Sequence, residues 1–250
     1  MPQTVARAIE VLRFIAERPR TLTEVTQMLG LHKSTALRLL QTLEADGFAR
    51  REDGGRYVVG FGVIPLAESA IDNLDVRTIV HPHLDRLSTE IGHTVHLAQL
   101  IDGEVVYVDK VEGRGTVAMG SRIGLPVELH TAAVAKVILA HLPEADRSRM
   151  IEGWDFRGYG PRTLTNAADY VSELRCTRER GWAEDDGEME DYINCVALPV
   201  RDTTGRVTIG MSVTALRAVA PLEILREMVP RLRTVTEEVS ADLGWRSDET

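Results

Sequence analysis

Near the start of the chain, apolar residues recur every three or four positions. Val5, Ala8, Ile9, Leu12, Ile15 and Ala16 mark one face of a helix that ends at Pro19. A shorter helix follows over residues 24–29, with Thr23 at its N-cap and Thr21 offering a second capping frame. Gly30 stands next, where a left-handed C-cap needs no Cβ. Over residues 34–45, Ala36, Leu39, Leu40 and Leu43 share one helical face, while Ser34, Arg38 and Gln41 fall nearly opposite. Residues 48–60 then alternate and turn at Asp53-Gly54-Gly55, a hairpin signal. Two helices across a tight turn, followed by a basic hairpin, have the outline of a winged helix-turn-helix.

Beyond this head the pattern predicts a helix over residues 63–74, with Pro65 in its first turn, and another over 76–91 that Gly92 closes. At His93 the period drops to two. Residues 93–113 read as two strands about an Asp102-Gly103 turn, and residues 115–120 as a further short strand. An apolar helix over 131–142 and a helix over 167–180 come next. Strands over 195–200 and 206–213 follow, then a long closing helix over 221–243. The division expected is a DNA-binding domain at 1–61, a linker helix at 62–74 and an α+β domain with an antiparallel sheet at 75–250.

Composition sharpens this division. The 250 residues are 44% hydrophobic, enough for a buried core and too much for wholesale disorder. A formal charge of -9 looks wrong for a DNA binder until the chain is split. Residues 1–61 hold nine cations against seven anions, +2, which leaves -11 for the remainder. The head can meet phosphates while the acidic body stays off them. Two cysteines, Cys176 and Cys195, suit a reducing cytoplasm. The charged N-terminus is not a signal peptide, and no apolar run approaches the roughly 20 residues of a membrane span.

The candidate DNA contacts follow from the polar face and the wing. Ser34, Thr35 and Arg38 are placed to reach base edges. Lys33 and the wing residues Arg50, Arg51 and Arg56 are placed for phosphates, and Thr23, His32 and Gln41 complete the surface. Other signals are weaker. His93 and His96, with His81 and His83 nearby, suggest a metal, but strand positions three apart point to opposite faces, so ordinary polar histidines are expected. Asp185, Asp186, Glu188 and Glu190 lack the spacing of a calcium loop and read as a solvated turn. Cys195 has no base near it in sequence and reads as a buried or pocket-lining thiol, and Trp154 and Trp182 as core or pocket-edge aromatics. Gly60-Phe61-Gly62 lacks the third glycine of a dinucleotide loop.

Several stretches, taken in order, resemble the IclR family of bacterial transcription regulators: TVARAIEVLRFIAE, LTEVTQMLGLHKSTALRLLQTLEADGFARR, GRYVVG, LDVRTIVHPHLDRLS, GLPVELHTAAVAKVILA, RGWAEDDGEMEDYINCVALPV and the strand ending MSVTA. They span nearly the whole chain. The resemblance implies a winged reader, a linker helix and a GAF-like effector-binding domain, in a homodimer or homotetramer. It also implies a pocket for a small effector, often an organic acid. Carried over position by position, the lining is Asp185 and Cys195, Ser212 and Thr214 on the last strand, and Ala132 and Ala133 at a helix start whose amides suit a carboxylate. Met119, Leu129 and Val134 would be apolar wall residues. Thr214 departs from the serine common in the family, and its extra methyl would narrow or dry the pocket.

The expectation is therefore a ligand-responsive regulator that binds a double-stranded DNA operator and a small organic acid, with no catalysis, cofactor, metal or membrane partner. The rival is an enzyme acting on a small acid, with the winged unit as a dimerisation module. That reading needs a convergent nucleophile and base, which the sequence does not supply.

Overall fold

The structure is a computed structural model that describes residues 3–72, 75–113 and 120–246. The chain divides into two compact units, Met1–Asn73 and Leu74–Thr250. The strand expected over residues 115–120 and the candidate Met119 lie outside the described residues.

The first unit runs α1 (Gln3–Glu17), β1 (Arg20–Thr21), α2 (Leu22–Leu29), α3 (Lys33–Ala45), β2 (Ala49–Arg51), β3 (Arg56–Val59) and α4 (Val63–Asp72). Its core gathers Val11 and Ile15 from α1, Val25 from α2, Ala36, Leu40 and Leu43 from α3, and Ala49 and Tyr57 from the strands. The cap of α2 differs from the first choice above. Thr21, not Thr23, is the N-cap: its hydroxyl accepts from the Glu24 amide while the Glu24 carboxylate accepts from the Thr21 amide at 2.7 Å. This reciprocal box satisfies two open donors, which Thr23 has no partner to match. The hairpin gains a third strand, because β1 pairs antiparallel with β3 in the order β1-β3-β2. Gly60 is required where the chain leaves the wing, since a Cβ there would stand 2.1 Å from the Gly47 carbonyl oxygen.

The second unit runs α5 (Asp75–Ile91), β4 (Thr94–Ile101), β5 (Glu104–Val111), α6 (Ala133–His141), α7 (Glu144–Ile151), α8 (Ala167–Arg180), β6 (Ala183–Asp186), β7 (Ile193–Arg201), β8 (Val207–Leu216), α9 (Leu222–Glu227) and α10 (Val229–Asp242). The five strands form one antiparallel sheet in the order β5-β4-β8-β7-β6. Alternation along the strands feeds two cores. Val95, Leu97, Val196, Leu198, Met211 and Val213 pack with α5, α9 and α10, while Ala98, Val105 and Ala197 pack with α6 and α8. The second core buries all of α6 from Ala133 to Ala140.

Three expectations need correction here. The closing helix is two helices, α9 and α10, that meet at Met228; Pro230 lies in the first turn of α10, where a missing N–H does no harm. α7 was not foreseen, because it has no buried face from which to read a period. The acidic run is no solvated turn. Asp185 and Asp186 belong to β6, which pairs with β7 so that Asp185 faces Cys195 in register, and both Asp185 and Glu188 are buried.

Candidate functional site

On α3, Ala36, Leu39, Leu40 and Leu43 are buried while Lys33, Ser34, Thr35, Arg38 and Gln41 are exposed. His32 sits exposed at the N-cap without a capping hydrogen bond, and Thr23 is exposed on α2. The polar groups thus stand on a helix held rigidly from behind, with the amide end of α3 open beside Lys33. The wing adds Arg50 and Arg51 on β2 and Arg56 on β3, all exposed. Each of these is lightly held. Arg50 donates to Glu52 at 2.9 Å and lies 5.6 Å over the Phe61 ring. Arg51 lies 5.8 Å over the Tyr57 ring, and Arg56 donates to the Pro19 carbonyl at 3.4 Å. An exposed ion pair of this kind is worth about 0.2–1 kcal/mol, so a phosphate can replace it readily. Lys33 and Arg38 have no salt bridge among the described residues.

The second unit encloses a cavity of about 320 Å³ between the start of α6 and strands β4, β7 and β8. Seven of the nine residues carried over from the resemblance line it: Ala132, Ala133, Val134, Asp185, Cys195, Ser212 and Thr214. Leu129 does not. It packs in the core behind the wall, and its carbonyl accepts from the Tyr170 hydroxyl. The amide of Ala132 is already taken by the Glu128 carbonyl at 3.0 Å, so it is not free for a ligand. Among the described residues the Ala133 and Val134 amides meet no acceptor, and they form the open pair at this helix start.

The fold also brings in side chains not among those carried over from the resemblance. His96 and Tyr107 from β4 and β5, Ser121, and Thr131 before α6 all line the cavity. His96, expected to be an ordinary polar histidine, is buried at the centre of a hydroxyl chain. Its Nε2 lies 2.7 Å from the Ser121 Oγ, its Nδ1 lies 3.2 Å from the Thr214 Oγ1, and Thr214 in turn meets the Cys195 Sγ at 3.2 Å. The signal for it was weak: His96 faces Ser212 only through the β4–β8 register, across more than a hundred residues of sequence. Burial, helped by the Lys110 charge, lowers the His96 pKa to about 3, so the ring is neutral. Burial pushes the Cys195 thiol and the Tyr107 phenol up, so both keep their protons. The protonated thiol and the neutral imidazole are linked through the Thr214 hydroxyl and form one hydrogen-bonding wall. Among the described residues the buried Thr131 hydroxyl has no partner, a polar atom left for something in the cavity to satisfy.

Behind this wall, Lys136 donates to the Glu184 carbonyl at 2.9 Å and to the Glu188 carboxylate. Asp185 accepts from the Glu188 amide at 2.7 Å. Burial raises the Asp185 pKa to about 6 against the pull of that amide and of Lys136. Because the folded value lies above the ordinary 3.8, the native state holds this proton more tightly than the unfolded chain does. The stability it contributes is complete below about pH 4 and is lost as the pH rises through 6, a swing of about 3 kcal/mol. Denaturant unfolding from pH 4 to 7.5 should therefore show wild type losing stability relative to Asp185→Asn by that order; parallel curves would show that burial does not raise the Asp185 pKa.

Comparison with known proteins agrees with this architecture. Residues 4–53 match the IclR helix-turn-helix domain, and residues 68–241 match the C-terminal domain of bacterial IclR transcriptional regulators. The HTH-type transcriptional regulator XynR of Escherichia coli (strain K12) is 34% identical over 97% of this chain and 98% of its own length. Among solved structures, the Thermotoga maritima IclR superposes with a TM-score of 0.77 at 32% identity, covering 98% of this chain and all of the other. An IclR regulator from Alicyclobacillus acidocaldarius gives 0.81 at 29% identity over the same shares.

Proposed function

The chain belongs to the IclR family of bacterial transcriptional regulators, with a helix-turn-helix DNA-binding domain and a C-terminal effector-binding domain, and from that premise we propose how its own residues do the work. α3 lies in the major groove, with Ser34, Thr35 and Arg38 at base edges. Lys33, Arg50, Arg51 and Arg56 hold phosphates, flanked by Thr23, His32 and Gln41. A small organic acid enters the cavity of the second unit. Its carboxylate accepts from the Ala133 and Val134 amides, and its remaining polar groups meet Thr131, Ser212 and Thr214, with Asp185 and Cys195 at the far wall. The protein acts as a cytoplasmic homodimer or homotetramer and binds its ligand without turning it over. No helix among the described residues is long and apolar enough to cross a membrane.

The observation that carries this reading is the exposed polar face of α3 over its buried apolar one, beside a wing of arginines that other groups only lightly hold. Arg38→Ala should weaken binding to the specific operator by about 1–3 kcal/mol and relax base preference at one position. A footprint and affinity equal to wild type would refute the base-reading role. Asp185→Ala with Ser212→Ala should abolish the ligand's effect on the footprint while operator binding persists. Loss of both activities would assign these residues to folding instead.

A further inference from the structure

The second unit holds a larger cleft, of about 850 Å³, that shares no lining residue with the effector cavity. It opens where the end of α6 and one side of α7 meet the β4–β5 and β7–β8 turns. α6 and β8 each touch both sites, at opposite ends: α6 has Ala133 and Val134 at the cavity and His141 at the cleft, and β8 has Ser212 and Thr214 at the cavity and Val207 and Thr208 at the cleft.

The cleft's charge runs against that of the chain. In a protein of net charge -9, Arg149, Arg178, Arg201 and Arg206 line this cleft, with Asp146 as the only carboxylate on the wall among the described residues. Arg149 is paired with Asp146, and Arg206 stands 4.0 Å from Asp202. Arg201 donates to the Gly205 carbonyl at 2.9 Å and lies 5.6 Å over the Trp245 ring, so its guanidinium is fixed. Arg178, exposed in the last turn of α8, has no hydrogen bond or ion pair among the described residues. His141 is half-buried between them, its Nδ1 bonded to the Val137 carbonyl at 2.8 Å, which leaves Nε2 for the cleft. Burial lowers its pKa against the pull of the Val137 carbonyl, and the Arg201 and Arg178 charges lower it further. The floor is apolar, built from Leu100, Leu142, Met150 and Val207.

Four arginines on the wall of one cleft, Arg178 among them without a partner among the described residues, fit a head with two negative charges, and the apolar lining fits a hydrocarbon body behind it. The volume lies in the range of small-molecule clefts, about 300–1,000 Å³. We infer that this cleft is a second ligand site, taking a compact dianion with an apolar body, either a phosphate ester or a dicarboxylate. The site is separate from the effector cavity and stands whether or not that cavity binds an acid.

The test is calorimetric titration of the full chain at 0.15 M salt with phenyl phosphate and with phthalate, using benzyl alcohol as the uncharged counterpart. Saturable binding of at least one dianion is expected, with none for the alcohol. Arg178→Gln with Arg206→Gln, both on exposed side chains, should weaken it at least tenfold while operator binding stays as in wild type. Ser212→Ala, in the other cavity, should leave dianion binding within twofold. In the wild-type protein, saturating probe should also move the His141 ring titration to higher pH, which reports the site without any substitution. The proposal is overturned if neither dianion saturates, if the alcohol binds equally well, if the arginine variant binds like wild type, if Ser212→Ala removes binding, or if the His141 titration does not move.

Discussion

Replacing Lys136 with methionine should lower the stability of the second unit by about 3–5 kcal/mol, the usual result of removing one partner from a buried ion pair. Lys136 is 1% exposed on a helix whose neighbours are valine, isoleucine and alanine, and its ammonium is matched by Glu188 and the Glu184 carbonyl. Without it, Glu188 would face the interior alone, with one carboxylate oxygen already lacking a partner among the described residues. Burial already pushes the Glu188 pKa up, so this carboxyl would take up a proton on losing Lys136, and that uptake caps the penalty. Adding Glu188→Leu to Lys136→Met should recover most of the loss, because the pair together resembles an apolar core more than either half does. The measurement is convenient. All three tryptophans, Trp154, Trp182 and Trp245, lie in the second unit, so fluorescence during denaturant unfolding reports that unit alone. A single substitution that shifts the midpoint no more than an ordinary surface change would show that the pair contributes nothing to folding.

The second large effect concerns DNA. Lys33→Ala, Arg50→Ala and Arg51→Ala together should flatten the dependence of log affinity on log salt by about 2.7 per protomer, as expected when three phosphate contacts are lost at about 0.9 each. Affinity near 0.1 M salt should fall by about two to three orders of magnitude, for specific and random duplexes alike. The signature separates this variant from Arg38→Ala, which should discriminate between sequences and leave the salt slope changed by about one at most. If the triple variant kept the wild-type slope, the wing and the start of α3 would not be facing phosphates. The light pairing of Arg50 with Glu52 makes this loss readable, because little internal structure depends on those guanidiniums.

Local chemistry was legible in the residues. The apolar stripe of α3, the glycine after α2 and the Asp102-Gly103 turn each act within a few positions, so periodicity and turn propensity locate them without knowledge of the fold. Asp102 takes a positive φ of 51°, the backbone that such a turn demands. The same short reach explains the mistaken cap: Thr21 and Thr23 both suit the role, and only the position of the Glu24 carboxylate separates them.

The burial of charged and polar groups was not legible, because it is a property of neighbours distant in sequence. Asp185 and Glu188 read as solvent residues until β6 is laid against β7 and Lys136 reaches them from α6, 52 residues from Glu188. His96 reads as an ordinary polar histidine until β8 arrives beside β4 and places Thr214 on its ring, 118 residues away. The cationic cleft has no trace in sequence at all, since its arginines come from α7, α8 and the two sides of the β7–β8 turn. The order of residues alone determined the helices with an apolar face, the tight turns and the charge contrast between head and body, but not α7 or the break between α9 and α10. Which polar groups lose their water, and which cations share one volume, was decided only when the five strands paired, because desolvation and field strength depend on distance in space.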